Sequence, residues 1–145
     1  MYRVTFELGT FQRGSDANKV GAALEALLDA LFRVNKAYLR HNPHTPRLYK
    51  SGVRYEAEPY GQENWQDIPR TLELRKGDCE DLASWLAAER VVLDGIDAWP
   101  AFRWRRLANG LRLYHIIVAY PDGTIEDPSR KLGMRTSRPV GPNER

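Results

Sequence analysis

The chain has 145 residues, enough for one domain with a real core, and its 42% hydrophobic content excludes a disordered chain. A formal charge of +3 is mildly basic and does not by itself imply nucleic acid. The lone cysteine, Cys79, excludes an internal disulfide, so nothing requires an oxidising compartment.

Tyr2, Val4, Phe6 and Leu8 alternate with Arg3, Thr5 and Glu7, which predicts a half-buried strand in place of a signal-peptide core. No apolar run approaches the roughly 20 residues of a membrane span. A membrane partner is therefore not expected, and a cytoplasmic location is. After a turn region from Gly9 to Gly14, Ser15 or Asp16 caps a long helix. It should run to about His41 and stop before Asn42-Pro43. Val20, Leu24, Leu27, Leu28, Leu31, Val34 and Tyr38 form its apolar stripe, for core packing or for docking to a partner. His41 and His44 lie in a loop without a third ligand nearby and read as surface residues.

Leu48 to Glu58 should be extended, with a short strand around Val53-Arg54-Tyr55. In the polar segment from Glu63 to Pro69, Ile68-Pro69 should break any helix, and a short helix is expected over 71–75. Trp65 could pack against the cysteine helix or roof a site there. Gln62, Asn64 and Gln66 could each offer an amide donor to an oxyanion.

Gly77-Asp78-Cys79-Glu80-Asp81-Leu82-Ala83 is the centre of the chain. Apolar residues at Cys79, Leu82, Ala83, Leu86, Ala87 and Val91 mark one face of a helix. Asp78 suits its N-cap, and Asp81 the far end of a capping box. The helix should end near Asp94, with Gly95 as its C-terminal glycine. Cys79 then faces inward in the first turn, where the helix dipole lowers a thiol pKa. A single inward cysteine is by itself more often a small core residue than a nucleophile.

Strands are expected over Ala98 to Trp104, Leu111 to Tyr120 and Thr124 to Asp127, with turns at Leu107-Ala108-Asn109-Gly110 and Pro121-Asp122-Gly123. The second turn suits a three-residue loop with Gly123 left-handed. That loop pairs Tyr120 with Thr124, Ala119 with Ile125 and Ile117 with Asp127. Asp127 then shares a face with His115, its diagonal neighbour. A two-residue loop would send it to the opposite face. Taken singly, His115 reads as a core histidine and Asp127 as a turn cap. With Cys79 they offer a nucleophile, a base and a carboxylate that fixes the imidazole tautomer.

Three matches make the chain resemble the transglutaminase-like cysteine peptidase superfamily, and more narrowly its bacterial members. They are Trp65 with Pro69, the Gly77-Asp78-Cys79-Glu80-Asp81 box, and Tyr114-His115-Ile116-Ile117-Val118 followed by Asp127. The resemblance covers roughly Tyr55 to Met134. Glu126-Asp127-Pro128-Ser129-Arg130 with Leu132-Gly133-Met134 looks like small members encoded in phage structural-gene clusters. The resemblance implies a papain-like α+β fold, with the helix that starts at the cysteine packed on a small antiparallel sheet. It implies Cys79 as nucleophile, His115 as base and Asp127 as orienting carboxylate. The implied partner is a protein or peptide substrate. Residues 1–50 would add a strand and long helix to a 51–134 core, and 135–145 would form an extended tail.

Asp78, Glu80 and Asp81 surround Cys79, and three carboxylates should raise a thiol pKa against the helix dipole. They either cap the helix in water or, as in some peptidases of this resemblance, hold calcium. No cofactor is otherwise implied. The leading expectation is a cysteine hydrolase or acyltransferase acting on an amide through a thioester. The second is a structural or assembly protein associated with a phage virion, retaining the fold with its site unused. Nucleic-acid binding through Arg103, Trp104, Arg105, Arg106 and Arg112 is the third, against the simpler reading of a solvated strand edge.

Overall fold

A helix buried on all sides needs neighbours on all sides, and the fold is built to supply them. The computed structural model describes residues 1–9, 15–59, 63–109 and 112–135. Among the described residues there are four helices: α1 (Ser15–His41), α2 (Ile68–Leu74), α3 (Cys79–Asp94) and α4 (Pro128–Lys131). Five strands accompany them: β1 (Arg54–Tyr55), β2 (Lys76–Gly77), β3 (Trp99–Arg106), β4 (Arg112–Ala119) and β5 (Ile125–Glu126). This is a mixed α+β architecture.

Every residue of α3 from Cys79 to Glu89 is buried. Leu28 and Leu39 of α1 join its core on one side, and Tyr114, Ile116 and Val118 of β4 join it on the other. The polar residues this burial traps are partly paired. Glu89 accepts the Leu48 N–H at 2.8 Å and faces Arg47 at 3.6 Å. Gly95, at φ +65°, ends α3 as expected.

β3, β4 and β5 form an antiparallel sheet with β4 in the middle, while β1 and β2 pair in parallel just before α3. Ala119 pairs with Ile125 and Val118 with Glu126. The Tyr120 N–H donates to the Thr124 carbonyl at 3.0 Å, and Gly123 sits at φ +85°. These are the pairings and the left-handed glycine of a three-residue loop.

Several expectations fail. Residues 1–9 form no strand and are exposed throughout, with Tyr2 at 102% and Phe6 at 60%. Alternation supplies a face, but a strand also needs a partner ladder. The stripe of α1 holds in part: Leu28 is buried and Leu24 and Tyr38 pack against the core, but Val20 and Val34 are exposed, and Asn35 and Leu39, outside the expected stripe, are buried. Asn35 is drawn inward because its Oδ1 accepts the Ile68 N–H at 3.0 Å, at the start of α2. Pro69 does not break that helix. It sits in the first turn, where a missing N–H costs nothing, behind the Asp67 N-cap. Leu48–Lys50 is a 3₁₀ turn in a segment expected to be extended. The expected tail, apart from Arg135, lies outside the described residues. None of the described helices is long and apolar enough to cross a membrane.

Candidate active site around Cys79

Asp78 caps α3 by accepting the Cys79 N–H at 2.7 Å, and Asp81 closes the capping box by accepting the Asp78 N–H at 3.0 Å. Gly77 is required by this closure. A Cβ there would stand 3.0 Å from Cβ of Asp81 and 3.2 Å from Cγ2 of Thr71. Asp81 also accepts the Gln66 backbone N–H at 2.7 Å and its side-chain amide at 3.0 Å. The same amide reaches the Lys76 carbonyl at 3.2 Å. Gln66 therefore fastens the 63–67 segment to the helix start and is not held out toward an oxyanion. Asp81 is engaged likewise and does not join the candidate cation ligands. Trp65 is half-buried against the core, with its indole N–H donating to Glu63 at 3.1 Å. Gln62 lies outside the described residues.

The Cys79 thiol is 3% exposed and donates to Glu80 Oε2 at 3.3 Å. Burial pushes its pKa well above the ordinary value, and the charges of Glu80 and Asp78 push it further. The nearby backbone of Ile116 works the other way and does not prevail. Of the two opposed expectations, a helix dipole that lowers the thiol pKa and carboxylates that raise it, the second prevails, with desolvation as the larger cause. Burial raises Glu80 as well, helped by Asp81 and Asp78, and its Oε1 is buried without a hydrogen-bond partner. Asp81 is pushed up to about 7 by burial, against the bonds from Gln66 and Asp78.

Oxygens of Glu58, Glu63 and Glu80 lie within 4.8 Å of one another, as do ligand atoms of Asp78, Cys79 and Glu80. The unpartnered Glu80 oxygen and this all-carboxylate set fit a hard cation. Glu58 and Glu63 come from outside the cysteine box, and no sequence spacing pointed to them.

His115 and Asp127 meet as the register requires, Nε2 to Oδ2 at 2.9 Å. Asp127 also caps α4, accepting the Arg130 N–H at 3.4 Å. Burial would raise Asp127, but the imidazole bond and charge and Arg130 hold its pKa below the ordinary value. Nε2 is engaged by Asp127, which leaves Nδ1 as the ring nitrogen open to a further partner.

The two halves of the site lie on different sides of β4. Tyr114, Ile116 and Val118 turn toward α3 and Cys79. His115 and Leu113 turn the other way, with Arg103 and Arg105 directly opposite on β3. These four, with Tyr114, Asp127 and Arg130, line a cavity of about 250 Å³. The thiol meets β4 through the backbone of Ile116, the residue after His115. Among the described residues no hydrogen bond joins Cys79 to His115. No protein-family model matches the chain, and neither a curated protein nor a solved structure matches it.

Proposed function

We propose that the protein is a cysteine hydrolase or acyltransferase that opens an amide bond through a thioester on Cys79. The observation that carries this reading is the His115–Asp127 hydrogen bond at 2.9 Å, one residue along β4 from Ile116, which shares the core with Cys79. His115 takes the thiol proton on Nδ1 and returns it to the leaving amine, while Asp127 holds the ring by Nε2. The Cys79 N–H is already bonded to Asp78, so an oxyanion would be met by another donor, such as the Ile116 N–H. Reaction requires the sulfur to leave Glu80 and the imidazole, which projects from the other side of β4, to turn toward it. A papain-like arrangement accords with a buried helix that starts at its cysteine and packs on an antiparallel sheet.

Calcium, where bound, would be held by Glu58, Glu63 and Glu80, and would offset the negative charge beside the thiol.

The test is mass spectrometry of the intact protein after reaction with a peptide bearing an electrophilic carbonyl. A covalent adduct on Cys79 is expected, absent in Cys79→Ala and slowed about 100-fold or more in His115→Ala. Equal labelling of wild type and His115→Ala, at the rate of an ordinary buried thiol, would sink the proposal. A second reading is a structural or assembly component, virion-associated in keeping with the phage-type tail of the resemblance. The buried, carboxylate-bound thiol favours it. Its mark is a stoichiometric complex that Cys79→Ala leaves intact.

A further inference from the structure

The cavity on the His115 side of the sheet has a chemistry that the acyl-transfer reading does not use. Three guanidinium-bearing side chains, Arg103, Arg105 and Arg130, line it together with one carboxylate, Asp127. Arg103 is the direct β3 partner of His115, and Arg105 that of Leu113, so both project on the imidazole's face. Arg130 rises from α4 with its Nε 3.4 Å from Asp127, its side chain 60% exposed. Asp127 is shared between His115 and Arg130, so it does not neutralise Arg103. Leu113 gives the cavity an apolar wall.

We propose that this cavity binds a carboxylate of a peptide ligand, placing an acidic residue beside His115. The inference rests on the acyl-transfer reading only in calling that ligand the substrate. Guanidinium groups accept a carboxylate in a two-bond fork, and exposed ones give up little hydration to do so. A volume of about 250 Å³ accommodates an acidic side chain with its neighbouring backbone, not a folded partner.

Nucleic acid fits less well. Trp104, the aromatic among these arginines, points to the other face. It stacks on Phe102 at 5.2 Å between ring centroids and meets Tyr114 edge-on at 5.7 Å. Tyr114 also lines the cavity, but it is already engaged edge-on by Phe102 and Trp104 and does not offer the open stacking platform that single strands use.

The experiment is calorimetric titration of full-length Cys79→Ser, which cannot turn over by the normal route, with a short blocked peptide carrying two glutamates. Its glutamine counterpart, and the unblocked glutamine peptide with a free C-terminal carboxylate, complete the set. The glutamate peptide is expected to bind at least about tenfold tighter than the blocked glutamine peptide, a difference of ~1.4 kcal/mol. Arg103→Gln and Arg130→Gln, at exposed positions, should remove that preference while the circular dichroism spectrum stays unchanged. If the free C-terminal carboxylate alone restores binding, the carboxylate site stands and its source is the peptide terminus. Equal affinity for all three peptides overturns the inference. So does displacement of the glutamate peptide by a single-stranded oligonucleotide with a steep salt dependence. Failure of the acyl-transfer reading shows separately, as an unlabelled Cys79 in a protein that still prefers the glutamate peptide.

Discussion

Cys79 shows how neighbouring groups decide what a nucleophile-type residue can do. The helix start offers it partial positive charge, yet Glu80 accepts from its thiol at 3.3 Å and Asp78 stands beside it. Glu80→Gln keeps the shape and removes an ionisable neighbour. The thiol pKa should fall wherever Glu80 is ionised, and alkylation by iodoacetamide at pH 7 should speed up by roughly threefold for each pKa unit regained, the gain in thiolate being partly offset by its lower nucleophilicity. No change in rate would mean that desolvation alone sets the thiol pKa. Calcium should act in the same direction on wild type and have no such effect on Glu80→Gln. The site was legible in part. The box residues announce a helix start, and the turn chemistry of Pro121-Asp122-Gly123 carries enough information to bring Asp127 to His115. What the thiol touches was not legible. It depends on which way Glu80 turns in a buried first turn and on loop residues 58 and 63, far from it in sequence.

At the scale of elements, the short link between α2 and α3 concentrates the strain. Arg75 closes α2 with φ +60° and ψ +20°, a conformation that costs a residue with a Cβ about 1 kcal/mol. Arg75→Gly should raise stability to urea by about that amount, since only the backbone conformation is relieved. Gly77→Ala should do the reverse, by about 1–3 kcal/mol. Its Cβ would push on Asp81 and open the capping box, so fluorescence of the half-buried Trp65 should shift with it. The ends of α3 were legible because both are chemically marked, by Asp78 with Asp81 and by Gly95. The face of α1 was legible only in part, because a polar residue, Asn35, outranks two valines for the interior once it bonds to Ile68. The strand expected over the first residues failed for a related reason: an alternating pattern says nothing about whether another strand is there to pair with it.

At the scale of the whole molecule, Glu126 ties together segments that no local rule connects. It accepts from Tyr49 at 2.8 Å in the 3₁₀ turn and from Tyr120 at 2.6 Å beyond β4. It also pairs with Arg90 of α3 at 3.3 Å and with Lys131 of α4 at 2.9 Å. Its side chain is 13% exposed, so these interactions are only weakly screened. Burial opposes the charge, but the two hydroxyls, Lys131 and Arg90 prevail and lower its pKa to about 2. A carboxylate whose folded pKa lies below its unfolded value stabilises the fold above the unfolded value of 4.5. That contribution is lost as pH falls from there toward 2. Glu126→Gln should therefore cost on the order of 2 kcal/mol at pH 7. The gap from wild type should close between pH 4.5 and 2, where Glu126 itself becomes neutral. Urea denaturation of both proteins across that range reads the effect directly. A gap that stays constant with pH would mean that Glu126 acts through packing alone, and that the molecule is held at this point by shape and not by charge.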